Sequence, residues 1–262
     1  MGRGIQRWAC CFGIFAANGL CASAAQAGDA ALDLNYTLAS QYLFRGLTQT
    51  NGHSAVQGGA EVALGAGAYA GTWLSNISWF DELAPGSRLP LEWDLDAGYR
   101  HAFGDAALDL GIVRYLYPGH LEALPDGIVR PDMTEAYAAV TWHALSFKYS
   151  ASLTDSSGVE HSRGSQYAEL ALAIPVNRWL QGSLHVGRAA FRGRSAATDR
   201  AGTDNARLYS YTDWSLGLTS GLSDYWNATF LCSYANSPDA GYLLASGNLG
   251  GPRLAIAFQH SF

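Results

Sequence analysis

Glu92, Asp94 and Asp96 stand at every second position, and Arg100 follows on the same parity. In a strand, side chains repeat every second residue, so all four would share one face. Stacked carboxylates repel one another unless bases or counter-ions offset them, so such a face binds bases from other strands or draws in cations. Ester hydrolysis would be a different chemistry, needing a nucleophile and a base aligned on one face or in one loop. His53-Ser54, Ser156-Ser157 with Glu160 and His161, and His260-Ser261 bring those types together. No G-x-S-x-G elbow accompanies them, and Ser and His are ordinary loop residues, so no catalytic residue is assigned. The seven histidines are dispersed, without His-x3-His or Cys-x2-Cys spacing, so no metal site is expected. Glu122, Asp126 and Asp132 could gather calcium, but a solvated acidic loop explains them better. Gly65, Gly67 and Gly71 have the spacing G-x-G-x-x-x-G in a hairpin context, which is not a dinucleotide fingerprint, and no cofactor is expected.

The acids need strands to position them, and alternation predicts twelve segments of roughly ten residues, near the length of a tilted membrane strand. They run over about Ala31–Arg45, Ala55–Leu64, Ala68–Trp79, Leu91–Phe103, Ala106–Tyr117, Met133–Trp142, Leu145–Thr154, Ser165–Ile174, Trp179–Arg188, Arg207–Leu218, Tyr225–Tyr234 and Pro252–Phe262. The fourth alternates most cleanly, with Leu91, Trp93, Leu95, Tyr99 and Phe103 opposite the acids and Arg100. Arg114 breaks the phase of the fifth, which predicts a bulge or a headgroup-level position. In the last, Leu254, Ile256, Phe258 and Phe262 oppose Arg253, Gln259 and Ser261, and this strand must pair with the first to remove the open edges.

Turns after the even-numbered segments are short and the other connections mostly longer. That pattern predicts an all-β, antiparallel transmembrane β-barrel of about twelve strands with both termini in the periplasm. Tyr69, Phe103, Trp142 and Phe262 would then lie near the periplasmic interface, and Phe44, Trp79 and Trp93 near the outer one.

Residues 1–27 have the form of a signal peptide: Arg3 and Arg7, an apolar stretch from Trp8 to Leu20, and Ala25-Gln26-Ala27 as cleavage site. Residues 28–262 would form one barrel domain, retaining Cys232 alone and therefore no internal disulfide. Loss of two arginines leaves fourteen basic residues against twenty-two acidic, a formal charge of −8, which argues against a nucleic-acid partner. After Gly28 no apolar run approaches the ~18 to 20 residues of a membrane-spanning helix.

Ser40–Thr50 (SQYLFRGLTQT), Gln57-Gly58-Gly59, Gly67–Asn76 (GAYAGTWLSN) and Glu92–Tyr99 (EWDLDAGY) closely resemble the N-terminal half of the TorF porin family, a proteobacterial outer-membrane family. The likeness is specific over about residues 40–99. It implies an outer-membrane barrel with passive channel activity, and it brings no catalytic residues or substrate. At family-like positions, Arg45 and Gly46 would lie where the first strand leaves the membrane.

The inward faces would therefore matter most. The phasing turns nine acids inward (Asp33, Glu61, Glu92, Asp94, Asp96, Asp109, Glu135, Glu169, Asp213) against five bases (Arg45, Arg100, Lys148, Arg207, Arg253). A water-filled lumen of this kind favours cations, and Arg45, Glu61, Glu92, Asp94, Asp96, Arg100, Lys148, Glu169 and Asp213 are the candidate pore-lining and selectivity residues. The same charges could instead pair across a narrow lumen and plug it, since about twelve strands lie between a filled and an open barrel. The expectation is a porin for small hydrophilic solutes in the outer membrane of a Gram-negative bacterium. Its partners would be outer-membrane lipid, those solutes, and the barrel-assembly machinery acting through the C-terminal strand. A closed structural or adhesive barrel and, more remotely, an outer-membrane lipid acyl hydrolase are the alternatives.

Overall fold

Alternation of apolar and polar residues is realised as a ring of twelve antiparallel strands in a computed structural model that describes residues 31–194 and 202–262. The expected signal segment, residues 1–27, lies outside the described residues.

In chain order, β1 (Leu32–Ala39) is followed by a small hairpin, β2 (Leu43–Phe44) and β3 (Leu47–Thr48), then by β4 (Ala55–Gly65) and β5 (Ala68–Asn76). A short helix, α1 (Trp79–Leu83), precedes β6 (Leu91–Phe103), β7 (Ala106–Leu116), β8 (Met133–Trp142), β9 (Leu145–Ser152), β10 (Gln166–Asn177) and β11 (Leu180–Ala190). Then come α2 (Asn205–Tyr209), β12 (Tyr211–Gly221), β13 (Trp226–Ala235), α3 (Asp239–Tyr242), a second small hairpin of β14 (Leu243–Leu244) and β15 (Gly247–Asn248), and β16 (Gly251–Ser261). Each barrel strand pairs with its sequence neighbours, and β1 closes the ring on β16 from Asn35↔Ser261 to Ala39↔Ala257. No backbone edge is left unpaired in the ring.

The two ends of the barrel differ in their connections. One end carries both strand termini and tight turns such as Gly65-Ala66-Gly67, where all three residues have positive φ. Gly67 is obligatory there, because a Cβ would collide with the Arg100 carbonyl oxygen. The other end carries the longer connections, with α1, α2, α3 and both small hairpins. Leu95, Ile112, Phe147, Leu170, Val186, Leu216 and Ile256 are exposed on the outer face. Acids and tyrosines occupy the inner one, and among the described residues no helix is long and apolar enough to cross a membrane.

Several expected boundaries move. The first strand ends at Ala39, not Arg45, and Tyr42 and Phe44 are buried inside the barrel. The third ends at Asn76 and its phase is inverted: Leu74 faces out, while Tyr69 and Trp73 face in, opposite Gly98 and Asp94. Tyr69 is thus a lumen residue and not an interfacial aromatic, and Trp79 is buried in α1 rather than placed at the outer girdle. The local pattern misled because this strand has bulky rings on its inner face and Ala70 and Thr72 on its outer one. Arg114 keeps its phase without a bulge, facing outward at the loop end, where it bonds Thr134 and lies 3.8 Å from Asp132. Arg207 is exposed on α2 and does not face the lumen. Trp93, Phe103, Trp142 and Phe262 are exposed on the outer face.

Candidate functional site

The residues after β1 do not leave the barrel; they turn back into it. Phe44 and Leu47 pair across a two-residue tip, Arg45-Gly46, in which both residues have positive φ (50° and 79°), as in a type I′ hairpin turn. The loop is braced by Gln49 N–H to the Tyr42 carbonyl at 2.9 Å, and by Thr48 N–H to the Leu249 carbonyl at 2.9 Å. Its tip reaches the far wall, because β9 stands diametrically opposite β1 in the ring and the tip's partners lie on the strands flanking β9. Arg45 donates from Nη1 and Nη2 to the two oxygens of Glu135 on β8, at 2.9 and 2.7 Å. Its guanidinium also lies 4.2 Å from the ring centre of Tyr167 on β10. Gly46 is wedged against β12 and β13, since a Cβ there would come within 2.6 Å of Asp213 Cβ and 3.0 Å of Ala235 Cβ. The first loop therefore spans the lumen as a bar.

Two further networks fill the wall. Nearer the tight-turn end, Arg100 grips Glu61 through bonds of 2.5 and 2.9 Å and donates Nε–H to Asp109 at 3.2 Å. Tyr69 bonds Asp109 at 2.8 Å, shares a short hydrogen bond with Tyr137, and supplies its ring face to Arg100 at 3.8 Å. Lys148 sits 4.1 Å from the Tyr137 ring centre and pairs in register with Glu169. At mid-height, His185 Nε2 is 2.9 Å from Asp213 and Nδ1 is 3.5 Å from Glu169, while Tyr167 donates to Asp213 at 2.9 Å.

The acids of β6 stand apart from these pairs. Tyr42 donates to Glu92 Oε1 at 3.2 Å, but Glu92 Oε2, Asp94 Oδ1 and Asp96 Oδ2 have no hydrogen-bond partner among the described residues. All three side chains are more than nine-tenths buried. Of the candidate bases, Arg45 and Arg100 are bound to Glu135, Glu61 and Asp109 rather than to this ladder. Burial, with Glu92 and Asp94 adding to it, pushes the Tyr42 hydroxyl well above its ordinary pKa, so it remains a donor. Burial alone would lower the Arg45 pKa, and Glu135 more than offsets that, keeping the guanidinium charged.

All nine expected acids are on inward register positions, with Arg100, Lys148 and Arg253 from the wall and Arg45 from the loop. Sequence reasoning missed Tyr137, Tyr167 and His185, although each shares parity with an inward residue of its own strand: Tyr137 with Glu135, Tyr167 with Glu169. The nucleophile candidates do not assemble. The Ser156 and Ser157 hydroxyls approach Met133 Sδ at 3.8 Å, His161 lies 4.0 Å from Glu160, and His260 faces outward while Ser261 faces in.

Three solved structures share this architecture at low sequence identity. A KdgM porin superposes with a TM-score of 0.51 at 9% identity, covering 88% of this chain and 99% of its own. The NanC porin gives 0.51 at 11% identity over the same shares. An outer membrane channel from Pseudomonas putida F1 gives 0.50 at 12% identity, covering 91% of this chain and 97% of its own. The likeness shows the porin fold. No curated protein matches the sequence. A family model described as "Bacterial protein of unknown function (Gcw_chp)" matches residues 23–262.

Proposed function

The chain belongs to that Gcw_chp family, and we propose that it is an outer-membrane porin through which small hydrophilic solutes diffuse past a bar formed by the first loop. The observation that supports this most is the division of the closed barrel into an apolar outer face and a charged inner face. A soluble sandwich has no reason to divide its surface in this way, whereas a barrel between lipid and a polar lumen must. The same division underlies the outer-membrane localisation, with the termini in the periplasm and the TorF-like segment supplying the bar.

The lumen prefers cations in this reading, because nine acids face four bases there and one oxygen each of Glu92, Asp94 and Asp96 has no hydrogen-bond partner among the described residues. One KdgM structure is described as a complex with oligogalacturonate, an anionic sugar chain. This lumen suits such a polyanion poorly, so that cargo is not transferred to the present chain. The test is single-channel conductance of the refolded protein in a planar bilayer under a salt gradient. Discrete openings with a cation-selective reversal potential are expected, and silence from folded protein would sink the diffusion reading.

A closed structural barrel is the second reading, favoured by the seating of Arg45 on the far wall at β8 and of Gly46 against β12 and β13. For assembly, Phe262 donates its N–H to the Leu34 carbonyl at 3.0 Å and its ring packs 4.5 Å from His260 beside the closing seam. The terminal strand is then the segment that barrel-assembly machinery would engage.

A further inference from the structure

The loop end of the barrel holds a cavity of about 850 Å³, within the range of small-molecule pockets, roughly 300–1,000 Å³. The bar contributes Phe44, Arg45 and Leu47 to its lining, and α3 and the β14–β15 hairpin form part of its wall.

Four of the lining rings touch one another in a chain. Phe191 packs on Tyr209 with 5.6 Å between ring centres, Tyr209 on Tyr242 at 6.1 Å, and Tyr242 on Tyr211 at 5.4 Å. The two contacts of Tyr242 are edge-to-face, and its hydroxyl is already bound to the Tyr209 carbonyl at 2.7 Å. A further ring entering the cavity can join this chain in the same edge-to-face or offset geometry.

The charged lining groups are partnered within the protein. Arg45 and Glu135 hold each other in two hydrogen bonds, Asp239 accepts from Asn248 at 2.7 Å, and Asp126 also has a partner. A charged ligand would leave water and find its natural counter-charge already taken, and that desolvation is costly. An uncharged ring avoids the cost and buries apolar area against ring and leucine walls. Leu243 carries that apolar lining out to the rim, where it is 58% exposed in a hairpin that is no part of the barrel wall.

We propose that this vestibule is a binding site for a small, flat, uncharged aromatic molecule, held by the Phe191–Tyr209–Tyr242–Tyr211 ring chain and by Leu243 at the rim. The site goes beyond the diffusion reading, since it requires neither conductance nor a particular membrane orientation.

Calorimetric titration of the refolded chain in lipid nanodiscs tests it, with the heat of partition into empty nanodiscs subtracted. Indole, tryptamine and indole-3-acetate present one ring system in uncharged, cationic and anionic form. Indole is expected to bind saturably, and each charged analogue at least about tenfold more weakly. Leu243→Asp puts a carboxylate at the exposed rim and should weaken indole roughly tenfold. Ala240→Trp, at an exposed position on the cavity wall, should block binding by filling space. Absence of saturation by indole in protein shown folded by heat-modifiable migration overturns the site. So does a charged analogue that binds as tightly as indole, or an indole affinity that neither variant moves. Saturable indole binding by a barrel that fails to conduct upholds the site and removes only the diffusion reading.

Discussion

Arg45, at the tip of the first loop, meets Glu135 of β8 through two parallel hydrogen bonds of 2.9 and 2.7 Å. One partner belongs to a connection and the other to the barrel wall, so this pair decides whether the bar stays seated. Both side chains are largely withdrawn from solvent, and a bidentate carboxylate–guanidinium contact is about the strongest hydrogen-bonded pair a protein makes.

Removing one member is therefore expected to release the loop. Arg45→Ala leaves Glu135 buried without its partner, which costs about 3–5 kcal/mol for a buried pair. Withdrawal of the tip into solvent is the cheapest relief. Single-channel conductance should rise in Arg45→Ala and in Glu135→Gln, with heat-modifiable migration preserved. Conductance equal to the wild type in both would mean that the bar does not limit flow.

Gly46 gives the same test without touching a charge. At φ +79 an alanine would be strained by about 1–2 kcal/mol, and its Cβ would press within 2.6 Å of Asp213 Cβ and 3.0 Å of Ala235 Cβ. Gly46→Ala should unseat the tip and raise conductance as Arg45→Ala does. Gly52→Ala, also at positive φ but with nothing within 4 Å of the new Cβ, should leave conductance unchanged.

Much of this was legible from alternation alone. Strands such as Leu91–Phe103 and Met133–Trp142 have the predicted bounds, and the nine inward acids follow from parity, because a period of two fixes which face each side chain takes. The first loop was not legible. Tyr42 and Phe44 continue the apolar parity of β1, and nothing local separates a ring packed inside a barrel from one facing lipid. Tyr69 and Trp73 misled for the same reason, since their burial depends on Gly98 and Asp94 across the sheet. Arg45 was expected at the end of the first strand, but it stands at a loop tip, its partner is ninety residues away and no spacing rule reaches that far.

Orientation can be read in cells. Ala245 lies exposed between β14 and β15 at the loop end. In intact cells, Ala245→Cys in a Cys232→Ser background should react with a membrane-impermeant maleimide, whereas Ala66→Cys at a tight turn should react only after the outer membrane is opened. The reverse pattern would invert the barrel.

The β6 ladder carries the prediction about ions. Among the described residues, Asp94 and Asp96 are successive inward acids with an unpartnered oxygen each, and Arg100 on the same strand is bound to Glu61 and Asp109. Where they are ionised, carboxylates in a narrow lumen raise the local concentration of cations and repel anions. Asp94→Asn with Asp96→Asn keeps shape and polarity and removes both ionisable groups. Under a salt gradient the reversal potential should move toward the anion side, by more than in an Asp109→Asn control, whose acid is already bound by Arg100 and Tyr69. An unchanged potential would show that permeating ions do not pass this ladder.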